Sequence, residues 1–109
     1  MEAILFRPQG NLDLKRSYQL KQIVDKLINK TRNFYCIIDM GLVNQINNFG
    51  LTNLVIVRKI SEKRGCLLYL FNIQDDIQLI FQLTGLDKKF NFLEDESFLY
   101  SLKPKLLLC

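Results

Sequence analysis

The feature that most constrains the fold is an alternation between two apolar patterns. Continuous apolar runs occupy residues 3–6, 34–38 and 66–71, and the second is rich in the aromatic and β-branched side chains of a buried strand. Between these runs, apolar residues recur at three- and four-residue spacing, as on one buried helix face. Strands alternating with such helices pair in parallel through right-handed crossovers. We therefore predict an α/β fold, with a small, mostly parallel sheet flanked by about four helices.

The two longest helices are predicted in the first half of the chain. Residues 3–6 form a strand that ends before Pro8 and Gly10, and Asp13 caps the helix that follows. A second helix begins near Asn48 and extends to Arg64, with Gly65 as a left-handed stop. The buried face of the first helix is predicted to consist of Leu20, Ile23, Val24, Leu27 and Ile28.

Two further helices are predicted after the third apolar run. The first covers residues 72–83, with Asp75 and Asp76 in its first turn and Gly85 beyond its end. After an extended piece at residues 90–92, the second covers residues 94–102. Pro104 prevents its extension, so residues 103–109 are predicted to form a C-terminal tail.

Length and composition favour one domain over residues 1–109. The chain is 49% hydrophobic, which is enough for one core without disulfides or metal. Cys36 and Cys66 lie in apolar runs, where buried thiols are expected, and Cys109 is expected in a frayed end. No apolar stretch reaches the length of a membrane span, and the start lacks a signal-peptide pattern. We expect a cytoplasm-like compartment, or a plastid stroma given the abundant Ile, Leu, Asn and Lys, and no cofactor or metal.

The formal charge of +4 first raises the question of a polyanionic partner. However, the basic residues are spread along the chain and mixed with acids, which favours a solvated surface over nucleic-acid binding. The densest group comes late in the second helix, where cations meet the negative end of the helix dipole; it comprises Arg58, Lys59, Lys63 and Arg64.

Catalytic motifs are missing from the sequence. The chain has no histidine, the side chain best suited to proton transfer near neutral pH. It has no G-x-G-x-x-G, P-loop or G-x-S-x-G spacing, and its acids are scattered or lie at helix starts. Tyr18, Tyr35, Tyr69 and Tyr100 form no stacking platform, so they are expected in core or rim packing. We predict a protein that is not an enzyme.

Four segments carry a resemblance to a known family. They are GNLD at residues 10–13, CIIDMGLVNQINNFGL at 36–51, EKRGCLLYLFN at 62–72 and LTGLDKKF at 83–90. In order and spacing this set resembles the STAS domain family, over nearly the whole chain, and is most similar to bacterial anti-sigma factor antagonists. The resemblance implies a protein-binding module. It also implies one more strand before residues 3–6, for which the chain has little room; either that strand is missing or the edge is covered differently.

The resemblance also implies a regulatory site. In the switching members, the loop entering the second helix reads Asp-Ser-Ser-Gly, and a partner kinase that is also the anti-sigma factor phosphorylates the serine before the glycine. Here the four positions are Asn47, Asn48, Phe49 and Gly50, so no hydroxyl stands at the acceptor position. We expect Asn48 to cap the helix and Gly50 to permit close approach of backbone or partner.

The resulting hypothesis is constitutive binding of an anti-sigma factor or serine kinase-like partner. Phe49 would be an apolar anchor, although it could instead fold inward and fill core. Thr52 and Ser61 are alternative phosphate acceptors, or ordinary helix residues. Two other functions stay open: a STAS subunit of a transporter or lipid-trafficking complex, and a nucleotide-binding or weakly hydrolytic protein. The predicted partner-binding residues are Asn44, Asn47, Asn48, Phe49, Gly50 and Asn53, with Asn44, Gln45 and Asn47 expected in a loop.

Overall fold

The computed structural model describes residues 2–30 and 34–108, which form a five-stranded sheet, a two-stranded sheet and four helices. The strands are β1 (Glu2–Arg7), β2 (Gly10–Leu12), β3 (Phe34–Asp39), β4 (Val43–Ile46), β5 (Leu67–Phe71), β6 (Asn91–Leu93) and β7 (Lys105–Leu108). The helices are α1 (Leu14–Lys30), α2 (Asn48–Lys63), α3 (Asp75–Thr84) and α4 (Glu96–Ser101), with a short 3-10 helix at Leu86–Lys88. The predicted α/β class is confirmed.

The large sheet has the strand order β6-β5-β3-β1-β7, and all of its pairs are parallel. Strands β1, β3, β5 and β6 follow one another across the sheet in one direction, so right-handed crossovers place α1, α2 and α3 on one face. The connection from β6 to β7 returns to the opposite edge, and the same handedness places α4 on the other face. The sheet therefore separates two apolar clusters.

The larger cluster lies between the sheet and the first three helices. Phe6 and Ile38 enter it from neighbouring strands, while Leu20, Leu54 and Phe81 enter it from α1, α2 and α3. All five side chains are almost fully buried. Because each helix places one apolar stripe here, the polar stripes of α1 and α2 face solvent.

The smaller cluster lies beneath α4. Its buried members are Leu5, Ile37, Leu93 and Leu99. Next to it, the ring centroids of Tyr35, Tyr69 and Phe98 lie 6.1–6.3 Å apart, in tilted and edge-to-face arrangements. Tyr35 and Tyr69 therefore have the packing role that the sequence predicted.

Two predicted helices begin later than expected. The third begins at Asp75 rather than residue 72, because Asn72 adopts a left-handed backbone conformation with φ 65°. The fourth begins at Glu96, since Asp95 has an extended conformation and caps it. Hydrogen bonds from the side chain and then the backbone of Ser97 lower the pKa of the Asp95 carboxyl from its ordinary value.

Residues 105–108 form β7, and not the tail expected from the sequence. This strand pairs in parallel with β1, in a register that joins Ile4 to Lys105 and Phe6 to Leu107. It covers the edge at which the family resemblance implied an additional strand. Cys109, expected in a frayed end, lies outside the described residues, whereas Cys36 and Cys66 are buried as predicted. No helix among the described residues is long and apolar enough to cross a bilayer.

Removal of residues 105–109 should lower the free energy of unfolding by about 1–3 kcal/mol, because the partly buried Leu107 is lost from the larger cluster. The uncovered β1 edge should also promote self-association. Urea denaturation and size-exclusion chromatography with light scattering measure the two effects. A control chain that lacks only Cys109 should behave as the parent does. A monomeric, fully stable truncated chain would contradict a structural role for β7.

Candidate functional site

The candidate site lies where α1 and α2 begin. Strands β2 and β4 pair in parallel, and their register joins Leu12 to Ile46, the residues that precede the two helix caps. The caps, Asp13 and Asn47, are therefore neighbours, and α1 packs against α2 along its length. A cleft of about 120 Å³ separates the two starts. Both strands are short and expose polar side chains at Asn11, Asn44 and Gln45, which explains why their sequence shows no strand pattern.

The cap of α2 is Asn47, so the prediction that Asn48 caps this helix was wrong by one residue. Asn47 is extended, with φ −108° and ψ −177°, and its Oδ1 accepts a 2.9 Å hydrogen bond from the Gly50 backbone N–H. Asn48 is the first helical residue and its side chain is exposed. The α1 start has the same design, because Asp13 Oδ1 accepts from the Arg16 backbone N–H at 3.0 Å.

Gly50 brings the first turn of α2 against β2. A Cβ atom at this position would overlap the Leu12 carbonyl oxygen and lie 2.9 Å from Ile46 Cγ1. Gly50 itself is buried, so the backbone that approaches it closely is β2 of this chain and not a partner. Its expected role in partner contact is therefore replaced by a structural one: it fixes where the helix begins.

Phe49 points to solvent from the first turn of α2. Its side chain is 59% exposed, so the alternative in which it fills core is wrong. An exposed phenylalanine keeps a large apolar ring in water, and burial against another surface would stabilise a complex by about 1.5–3 kcal/mol. Of the predicted site residues, Phe49 is the one best suited to be an anchor.

Asn44 and Gln45 lie in β4, and not in the loop that the sequence predicted. Both side chains are exposed, and Gln45 pairs with Asn11 of β2 in the ladder. The backbone groups of this segment instead pair with β2. Asn44 and Asn47 thus remain exposed, but Asn44 lies on a strand and Asn47 is a helix cap.

Asn53 does not reach the surface. It is only 8% exposed, and its Nδ2 donates a 2.8 Å hydrogen bond to Ser17 Oγ on α1. Its prediction as a partner-binding residue is corrected by this geometry, because the side chain ties the two helices together. The Ser17 hydroxyl satisfies the buried amide, and losing this hydrogen bond would lower the free energy of unfolding by about 1–3 kcal/mol.

The two other hydroxyls considered as phosphate acceptors differ in accessibility. Thr52 is exposed on α2, and its Oγ1 donates to the Asn48 carbonyl oxygen at 2.8 Å. Ser61 is fully buried, and its Oγ donates to the Val57 carbonyl oxygen at 2.8 Å. Only Thr52 is therefore open to a kinase.

Two residues of the site were not predicted as site residues: Leu14 was not singled out, and Tyr18 was expected in core or rim packing. Leu14 is 52% exposed and Tyr18 is 47% exposed, one turn apart at the start of α1, and Lys21 Nζ lies 5.4 Å from the Tyr18 ring centroid. Their exposure could have been predicted from their position around the helix axis, because both fall outside the buried stripe formed by Ser17, Leu20 and Val24. We call the exposed side chains of Leu14, Tyr18, Asn47, Asn48 and Phe49 the helix-start surface.

The helix-start surface is equipped for contact and lacks the groups of a catalytic centre. It presents apolar rings, a leucine and two amides, with no pair of nucleophile and base. Among residues 2–30 and 34–108, no group of three or more Cys, Asp and Glu side chains is placed to hold a metal ion.

Comparisons with known proteins identify the family and the fold. A family model for the STAS domain matches residues 2–98. A candidate anti-sigma factor antagonist from Thermotoga maritima is similar in structure, with TM-score 0.78 and 20% identity over 91% of this chain and 85% of that one. A sulfate transporter family protein from Wolinella succinogenes is similar with a TM-score of 0.71 and 17% identity, over 93% of this chain and 84% of that one. The anti-sigma factor antagonist SpoIIAA, in its unphosphorylated form, is similar with a TM-score of 0.71 and 14% identity, over 94% of this chain and 90% of that one. At these identities the likeness shows the fold.

Asn47→Ala should lower the free energy of unfolding by about 1 kcal/mol, because the Gly50 N–H loses its acceptor. Asn48→Ala is the matched control: the same substitution one residue on, where the side chain is exposed and no cap is lost, should change stability by less than about 0.5 kcal/mol. Urea denaturation measures both. If Asn48→Ala is the more damaging change, the helix begins one residue later than the structure places it.

Proposed function

The chain belongs to the STAS domain family, and on that premise we propose that it is a non-enzymatic protein-interaction module similar to an anti-sigma factor antagonist. Its helix-start surface binds one protein partner in a cytoplasm-like compartment. The partner is an anti-sigma factor of the serine kinase-like type. Contact is constitutive, because regulation by phosphate at the usual position has been lost.

The exposure of Phe49 is the observation that supports this proposal. The ring is 59% exposed on the first turn of α2, and the neighbouring start of α1 exposes Leu14 and Tyr18. Aromatic side chains of this kind provide much of the binding energy where they enter a pocket on a partner. The two amides around the ring, Asn47 and Asn48, supply a polar rim.

The chemistry of position 49 supports the loss of the switch. A phosphorylated serine there would add about 1.5 to 2 negative charges at the start of a helix. A phenylalanine ring carries no hydroxyl and instead contributes apolar area, so a partner recognises the same state of the protein at all times. Gly50 and the Asn47 cap keep the geometry of the helix start without the switch.

A second candidate is a STAS subunit of a transporter or lipid-trafficking complex. Constitutive contact suits such a subunit equally well, and the similarity to a sulfate transporter family protein covers 93% of this chain. The identity of the captured protein separates the two: an anti-sigma kinase supports the first candidate, and a permease or ATPase supports the second.

Phe49→Ala should cost at least about 2 kcal/mol of binding and leave the free energy of unfolding within about 1 kcal/mol of the parent. The ring is exposed, so its loss empties no core pocket, which would cost about 3–5 kcal/mol. Affinity capture from the source cell with quantitative mass spectrometry measures binding, and urea denaturation measures stability.

Leu83→Ala is the matched control, since Leu83 is 78% exposed on α3, outside the helix-start surface. It should retain the partner at the parental level. The proposal fails if Phe49→Ala retains the partner equally well, or if the two substitutions weaken capture to the same extent. Phe49→Ser is a companion variant that restores the hydroxyl at the acceptor position, for a kinase of the family type to phosphorylate. Asn47, which replaces the usual aspartate, is expected to reduce that phosphorylation.

Protein isolated from its source should carry no phosphate. Position 49 lacks a hydroxyl, Ser61 is buried, and Thr52 uses its hydroxyl within the helix. Intact-mass spectrometry measures this directly. A stoichiometric phosphate on Thr52 would mean that the switch has moved by three residues and that binding is regulated.

A further inference from the structure

Basic residues that are dispersed along the sequence lie together on two neighbouring helices of the fold. Helices α1 and α2 lie side by side, and together they carry eight basic and two acidic residues, a formal charge of +6. Their apolar stripes enter the large core, so the charged stripes share one outer layer. We call the exposed side of α1 and α2 the basic helix pair.

Most of these charges are not neutralised within the molecule. Among the described residues, Arg58 is the one base of the eight that forms an ion pair, with Glu62 at 2.7 Å. Arg16 donates to the Gln9 carbonyl oxygen, and Lys21 lies over the Tyr18 ring. The remaining five are exposed at the surface; they are Lys15, Lys26, Lys30, Lys59 and Lys63.

The rest of the molecule has the opposite sign. Residues 75–101, from α3 through α4, contain six acids and two lysines, a formal charge of −4. The net charge of +4 thus conceals two oppositely charged regions. A field of one sign across a broad face attracts an oppositely charged surface and suppresses partners of like charge.

We infer that the basic helix pair docks against an acidic protein surface, with Phe49 seated in an apolar pocket at the edge of that surface. This inference rests on the proposed function and states the chemistry of its partner. Leu14 and Phe49 are continuous with the basic residues because both helices begin at the helix-start surface. At protein interfaces an aromatic anchor supplies much of the binding energy, and complementary charge adds specificity and speeds association.

Nucleic acid and membrane fit the same surface less well. A duplex backbone offers phosphates to the lysines but no apolar pocket for the Phe49 ring. A membrane-surface helix inserts a continuous apolar stripe, whereas the apolar stripes of α1 and α2 are already used by the core. The acidic protein surface satisfies both the lysines and the ring.

The test compares two double substitutions that change the net charge equally, from +4 to 0. Lys26→Glu with Lys59→Glu alters the basic helix pair at two exposed positions away from Phe49. Lys88→Glu with Lys89→Glu is the matched control, at exposed lysines of the 3-10 helix region. Circular dichroism checks that both remain folded. Each is used as bait in a source-cell lysate beside the parent and Phe49→Ala.

The protein that the parent retains and Phe49→Ala releases is then purified and titrated. The first double variant should bind it at least about tenfold more weakly at about 50 mM salt, with a smaller difference at about 300 mM, because salt screens exposed charges. The control should stay within about twofold of the parent. The parent is also titrated with a DNA duplex of about 20 base pairs and with vesicles containing phosphatidylserine.

Each result decides a different claim. Equal weakening by both double variants, or none by either, overturns the inference and leaves the Phe49 anchor intact. A partner lost from the basic-pair variant but kept by Phe49→Ala supports the acidic surface and refutes the anchor. Binding of DNA or vesicles that the basic-pair variant abolishes assigns the surface to those partners and overturns the inference. If the parent retains no protein, the proposed function and the inference both fail.

Discussion

The close approach of α2 to β2 is the contact on which the arrangement of the site depends. At position 50 any side chain would overlap the Leu12 carbonyl oxygen, so glycine is required for the helix to begin there. Once its first turn is held, α2 lies beside α1 at a fixed register, and the Asn53 amide can reach the Ser17 hydroxyl. Phe49, one residue before the glycine, is then directed away from the sheet. The exposure of Phe49 is therefore a consequence of the close packing of the α2 backbone on β2.

Sequence patterns predicted the parts of the fold whose stability comes from apolar burial. Strands β1, β3 and β5 and the helix faces that cover them carry enough apolar residues to show their period. Strands β2 and β4 could not be seen this way, since they are short and expose polar side chains such as Asn44. Strand β7 was obscured by Pro104, which ends a helix but does not exclude a strand after it.

The candidate site was predicted by position more reliably than by role. The family resemblance located the start of α2 and drew attention to Phe49, whose exposure the structure then shows. The roles assigned to single residues were wrong where a shift of one residue along the backbone changes which side chain caps the helix. Asn47 and Asn48 are adjacent amides, and only the extended conformation of Asn47 makes it the cap. Asn53 was misassigned because its helix phase turns it towards Ser17, and a polar side chain can be buried when it has such a partner.

The pairing of β1 with β7 has a consequence for the order of folding during synthesis. Ile4 emerges from the ribosome about a hundred residues before Lys105, its neighbour in the sheet. Until then, the side of β1 that pairs with β7 has no partner strand within the chain, whereas its other side can pair with β3. Contacts of such long sequence separation form slowly, because loop closure precedes any gain from pairing. A chain synthesised only through α4 contains every residue of its four helices but not the strand that covers the β1 edge, so that edge is open to pairing with another strand until β7 is added.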